Sequence, residues 1–201
     1  MSDDSSEKNF HRLLPSEPAL RIKALETILT EKGLIDPAAI DAIVEQYEHE
    51  IGPHIGAGII AKAWCDKNYK ADLLRDTEGV IGQAGLAGRQ GEHLVVVENT
   101  QDIHNLVVCT LCSCYPWPYL GVPPSWYKSD AYRSRAVSEP RKVLAEFGVD
   151  LLENQAVRVW DSTAEIRYLV LPMQPEESQG LPESDLVKWV TRNSMIGTGL
   201  P

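Results

Sequence analysis

Three of the four cysteines in this chain fall within one short stretch, Val108-Cys109-Thr110-Leu111-Cys112-Ser113-Cys114-Tyr115-Pro116-Trp117-Pro118. A structural disulfide does not need three thiols. A tetrahedral zinc site draws on two separated ligand pairs, and no second Cys or His pair accompanies this cluster. His104 is the nearest imidazole, and Cys65 lies far upstream. The spacing suits another chelate. If a metal takes the sulfurs of Cys112 and Cys114, the amide nitrogens of Ser113 and Cys114 lie between them in the chain. The resulting chelate rings have five or six members and are unstrained, so these four atoms can share a plane. Cys109 can add a third sulfur on one axis and leave the opposite position open. Amides bind metals only when deprotonated, which favours a small trivalent ion, Fe(III) or Co(III), over zinc. On spacing alone, a zinc or thiol-redox module remains the alternative.

The elements that must hold this loop are legible around it. Asn105–Val108 is apolar enough for a short strand, and it delivers Cys109 directly into the loop. Prolines at 116, 118, 123 and 124 stiffen the exit. His93–Glu98 reads as a buried strand, and Val157–Trp160 and Ile166–Leu171 as two more, joined by Asp161-Ser162-Thr163. Glycines at 85, 88 and 91 mark a loop before the first strand. Upstream, Ser16 can cap a helix that accepts Pro18 and ends at Gly33, and Asp36-Pro37 opens a second that Gly52-Pro53 stops. A third is expected over Gly58–Trp64 and a fourth from Asp66 to about residue 81. Ser125–Ser134 reads as partly helical, Glu139-Pro140 starts a helix that Gly148 ends, and Leu181–Val190 forms the last. This order indicates an α+β fold with layered packing.

The loop and several distant blocks resemble the α subunit of nitrile hydratases. The blocks are Arg89-Gln90-Gly91-Glu92, Pro123-Pro124-Ser125-Trp126-Tyr127, Tyr132-Arg133-Ser134-Arg135, Arg158-Val159-Trp160-Asp161 and Ser194-Met195-Ile196-Gly197-Thr198-Gly199. Residues 1–15 read as a flexible segment, and the resemblance implies a four-layer α-β-β-α domain over 85–201 and a helical arm over 16–84 that reaches onto a β subunit. It implies a metal held by Cys109, Cys112, Ser113 and Cys114, with Cys109 as thiolate, Cys112 as sulfinic acid and Cys114 as sulfenic acid. The cobalt members carry Cys-Thr-Leu-Cys, so Thr110 and Tyr115 place Co(III) ahead of Fe(III). Gln90 and Glu92 match positions behind the ligands, where an exposed turn is the bland alternative, and Trp117 is read as a pocket wall.

The implied activity is hydration of nitriles to amides by Cys112, Ser113, Cys114, Gln90, Glu92 and Trp117 around the metal. The nucleophile stays open between water attacking a metal-polarised nitrile, a metal-held hydroxide and the Cys114 sulfenate oxygen. The metal-bearing subunit of thiocyanate hydrolase shares the loop and is the close alternative. Trp117 favours nitriles over an anionic substrate. The implied partners are a β subunit in an αβ heterodimer, with α2β2 left open, a cobalt-loading activator and a small nitrile. The loop contains no arginine, and the resemblance implies that two arginines of the β subunit supply its donors.

The remaining features narrow the class. Twenty-nine acids against 19 bases give a net charge of −10 without a basic patch, which argues against nucleic acid. No apolar run approaches the ~20 residues of a membrane span. The polar start lacks the pattern of a signal peptide, so a cytoplasmic protein is expected. Cys65 reads as a buried small hydrophobe, and His104 as a possible but unneeded fourth ligand. Arg167 interrupts an apolar strand and requires a partner.

Overall fold

The computed structural model describes residues 17–49, 51–86, 93–112 and 114–201. The chain separates into two compact units, Met1–Glu48 and His49–Pro201. Sequence reading drew the division at 84/85. The structure groups the next three helices with the strands, because their apolar faces are covered there.

In the first unit, α1 runs Glu17–Glu31, with Pro18 in its first turn and Glu17 paired to Arg21 one turn on. Gly33, at φ +65°, ends the run. The only backbone state that lets the chain turn back here is left-handed, and glycine adopts it without strain. Asp36 Oδ1 then accepts from the Ala38 amide at 3.0 Å and caps α2, Pro37–His49.

In the second unit, Pro53 opens α3, Pro53–Cys65, earlier than the expected Gly58. Ile59, Ile60, Ala61 and Ala63 are buried. The continuous helix expected after Asp66 is broken in two, α4 at Lys67–Arg75 and α5 at Thr77–Gln83. Asp76 causes the break: its carboxylate accepts from the Gly79 amide at 3.0 Å and starts the second helix afresh. Cys65 is exposed, not buried as expected, since it ends α3 beyond the buried alanines.

The strands are β1 His93–Glu98, β2 Ile103–Val108, β3 Ala156–Asp161 and β4 Ile166–Leu171. Although β3 and β4 are adjacent in sequence, they do not pair. β1 pairs with β4 and β2 with β3, both parallel. Between the pairs lie α6 at Trp117–Leu120, a 3₁₀ turn at Ser125–Lys128, α7 at Asp130–Ser138 and α8 at Pro140–Glu146. Helices α4 and α5 pack on β1, β4 touches β2, and α7 and α8 pack on β2 and β3. The layers are therefore α-β-β-α, as the resemblance implied. Leu106, Leu169, Val170 and Leu171 are fully buried in the core around the strands.

The single helix expected near the C-terminus is only α9, Glu183–Leu186. A further one, α10 at Arg192–Ile196, follows with Thr191 as its cap. Gly197 ends α10 at φ +91°, so close to β2 that a Cβ there would stand 2.0 Å from the Asn105 carbonyl oxygen. His104 spends both ring nitrogens in this region: Nε2 bonds the Gly197 carbonyl at 2.7 Å, and Nδ1 faces the Asn99 amide at 3.4 Å. Burial holds it below the ordinary imidazole range. It is a structural histidine and not a ligand.

Candidate metal centre

β2 runs straight into the cysteine loop. Val108 is fully buried, and Cys109, the next residue, is equally enclosed. Cys114 is buried and Cys112 exposed. The Sγ atoms of Cys109, Cys112 and Cys114 lie within 4.8 Å of one another, a grouping that could hold a metal ion. Cys112 Sγ is 3.4 Å from Cys109 Sγ and 3.1 Å from Cys114 Sγ.

With metal–sulfur bonds of ~2.3 Å, sulfurs at right angles stand ~3.25 Å apart, and tetrahedral sulfurs ~3.75 Å apart. The observed pair brackets the right-angle value. Both edges are short enough for one ion to reach these sulfurs, which agrees with the chelate rings available to this spacing.

The distant blocks converge on the loop. The Asp161 carboxylate, at the end of β3, accepts from the Thr110 amide at 2.9 Å and from the Thr110 hydroxyl at 2.5 Å. Tyr127 donates its hydroxyl to the Cys114 carbonyl at 2.9 Å, and Tyr132 to the Val107 carbonyl at 2.7 Å. Arg133 Nη1 donates to the Cys112 carbonyl at 3.0 Å and pairs with Asp130. The Cys112 amide points at Cys109 Sγ, 3.3 Å away. The backbone is thus gripped before, within and after the cysteines. Sequence reading quoted these blocks without knowing what they touch. Nothing in one dimension relates position 161 to position 110.

Burial, reinforced by the hydrogen bond with Cys112, pushes the Cys114 thiol up to about 12, and Arg167 acts in the opposite direction. The metal-free loop therefore resists the deprotonation that metal ligation needs, and a bound cation would reverse that balance. Arg167 lies on β4, far from the loop in sequence, and its role was not legible there.

Trp117 opens α6 directly after the loop and packs, half-buried, against the core. Thr110, Asp130, Arg133, Ser134 and Val137 line an open groove of about 380 Å³ on the outer side of the loop. Leu111 at its tip is 87% exposed. Ser113, Gln90 and Glu92 lie outside the described residues.

A family profile described as "Nitrile hydratase, alpha chain" matches residues 16–199. The chain is 52% identical to the low-molecular-weight cobalt-containing nitrile hydratase subunit alpha of Rhodococcus rhodochrous, over 92% of this chain and 89% of that one. It is 38% identical to thiocyanate hydrolase subunit gamma of Thiobacillus thioparus, over 89% of this chain and 77% of that one. A solved double mutant of the Fe-type nitrile hydratase of Comamonas testosteroni Ni1 superposes with a TM-score of 0.84 at 34% identity, covering 99% of this chain and 92% of that one. The fold, the sulfur triangle and these likenesses agree: the chain belongs to the nitrile hydratase α-chain family.

Proposed function

We propose that this chain is the cobalt-bearing subunit of an enzyme that hydrates nitriles to amides, with the metal held by the sulfurs of Cys109, Cys112 and Cys114 and the amide nitrogens of Ser113 and Cys114. The observation that carries the reading is the sulfur triangle, whose 3.4 and 3.1 Å edges would let one ion be held by all three cysteines. Similarity to cobalt-containing relatives supports cobalt, and the proposed amide ligation would favour its trivalent state. Bound cobalt would supply a Lewis acid that withdraws electrons from the carbon–nitrogen triple bond.

The chain's own residues fix the rest. Asp161, Tyr127 and Arg133 hold the loop backbone, so the donor atoms need little rearrangement to bind. Burial of Cys109 and Cys114 keeps water from two of the sulfurs, and Cys112 faces outward. Sulfinate on Cys112 and sulfenate on Cys114 are part of this reading; the exposure of Cys112 suits an oxidisable thiol, and the assignment for the buried Cys114 rests on the resemblance. Gln90 and Glu92 are proposed behind the ligands, and Trp117 as a pocket wall that favours an uncharged nitrile over thiocyanate.

The reading includes a β subunit. Leu111 and Val137 beside the loop are largely exposed, as are Leu20, Ile22 and Leu25 on α1. Apolar surface of this kind calls for a partner. The proposed arm, 16–84, would dock on that chain through the apolar side chains left exposed on α1, and an activator would deliver cobalt. Among the described residues no helix is long and apolar enough to cross a membrane, and a cytoplasmic setting is proposed.

The test is to express the chain with and without its β subunit in cobalt medium and to measure amide formed from a simple nitrile. The complex should turn over nitrile and leave thiocyanate untouched, and the solitary chain should be inactive. Equal rates with and without the partner would refute the heteromer, and turnover of thiocyanate alone would refute the substrate.

A further inference from the structure

Three side chains that grip the cysteine loop differ in charge, and each meets a different peptide. The Asp161 carboxylate takes the Thr110 N–H, and the neutral hydroxyl of Tyr127 donates to the Cys114 carbonyl. Neither of those peptides offers its nitrogen to the proposed ligand set, since the nitrogens are those of Thr110 and Tyr115. The cationic grip falls elsewhere. Arg133 Nη1 donates to the Cys112 carbonyl at 3.0 Å, across 21 positions of the chain. That oxygen belongs to the peptide whose nitrogen is Ser113, a proposed ligand.

Helix α7 places Arg133 for this contact. Tyr132, the residue before it, ties the helix to the Val107 carbonyl of β2 at 2.7 Å. Asp130, at the start of α7, pairs with Arg133 Nη2. The pair is lopsided: the Arg133 side chain is 23% exposed and that of Asp130 94%. The carboxylate stands in water, which screens it, and the guanidinium faces the loop with much of its charge uncompensated. Its Nε is sealed from solvent with no hydrogen-bond partner among the described residues. An enclosed cation of this kind is costly unless a negative charge meets it.

We infer that Arg133 is a positioning residue of the metal centre, whose charge is set for the Cys112–Ser113 peptide in its metal-bound form. An amide that has given up its proton to a metal shares the negative charge between nitrogen and carbonyl oxygen. A cationic donor on that oxygen stabilises the charged form more than the neutral one. The inference rests on the reading of the Ser113 amide as a ligand. It gives the loop a cation from this chain, beside any that a β subunit supplies.

The experiment uses the complex with its β subunit, made with cysteine labelled at the carbonyl carbon, with and without cobalt. Of the four cysteines in this chain, only Cys112 precedes a proposed amide ligand. The infrared difference between the loaded and the metal-free complex should show one cysteine carbonyl moved to lower frequency. Arg133→Gln keeps a neutral donor for that oxygen and loses the charge. Its loaded carbonyl should lie at higher frequency than the parent's, and half occupancy should need on the order of 10-fold more cobalt in the medium. Arg133→Lys keeps the charge and should stay close to the parent in both readouts. A merely structural grip would leave Arg133→Gln at parental frequency and parental occupancy, and that result overturns the inference. So does an equal loss in both variants, which would assign the effect to the shape of the fork and not to its charge. If Arg133→Gln does not assemble, Arg133→Lys decides alone, and a cobalt requirement raised about 10-fold in it overturns the inference. A moved carbonyl in the parent with unaltered variants defeats this inference only. A parent whose cysteine carbonyls stay in place on loading defeats the amide ligation, and the inference with it.

Discussion

The clamp between Asp161 and Thr110 makes the sharpest prediction about the loop. The carboxylate takes two hydrogen bonds from one residue, the amide at 2.9 Å and the hydroxyl at 2.5 Å. A bond to a charged acceptor contributes ~1.5–3 kcal/mol when buried. Asp161 is exposed, and solvent screening lowers each to ~1 kcal/mol. Asp161→Ala should therefore cost the closed loop about 2 kcal/mol, which is ~30-fold in its opening equilibrium. Asp161→Asn keeps one acceptor and should cost about half as much, as should Thr110→Val, which loses only the hydroxyl bond. Thr110→Ser keeps both bonds and should match the parent. Amide hydrogen exchange of the loop peptide, measured on protein made without cobalt, reads this opening directly. Cobalt uptake from limiting supply should fall in the same order. Parental exchange in Asp161→Ala would refute the clamp. A loss in Thr110→Ser as large as in Thr110→Val would show that the methyl group does the work, and the threonine would then bear on metal choice through its shape.

Two further outcomes follow from the same geometry. Gly197→Ala forces a left-handed residue against the Asn105 carbonyl; the conformation alone costs ~1–2 kcal/mol, so melting should drop by at least about 2 °C, and an unchanged Tm would contradict the close approach. In the metal-free chain Cys114 stays protonated up to about 12, well above its ordinary value of 9.0. The folded state therefore binds more protons than the unfolded state between those values, and stability should fall as pH rises through that window. Tyr115, Tyr127 and Tyr132, also raised by burial, tilt the curve the same way. Cys114→Ser should flatten it only in part, and an unchanged slope in that variant would show that the thiol is not held protonated.

What could be read in the sequence was whatever local chemistry dictates. The cysteine spacing gave the chelate. Gly33, Pro37 and Gly148 marked helix ends because each meets a backbone demand on the spot. Residues 93–98 and 166–171 declared themselves as strands by their apolar content. What stayed hidden depends on meetings across the fold. Nothing local pairs β1 with β4 or β2 with β3 in parallel. Asp76 reads as one more polar helix residue until its carboxylate is seen capping the next turn. Arg167 was conspicuous as a charge inside an apolar strand, and the sequence could say that it needed a partner but not which group would supply it. Distance along the chain is a poor guide to distance in a layered fold: Arg133, 21 positions from Cys112, donates to its carbonyl.

The central claim is that three cysteines on one loop hold a trivalent cobalt ion in a nitrile-hydrating complex. Elemental analysis of the purified, active complex tests it most directly. The account predicts about one cobalt for each copy of this chain, as the single ligand set allows. Stoichiometric zinc or iron in a complex that turns over nitrile would contradict it.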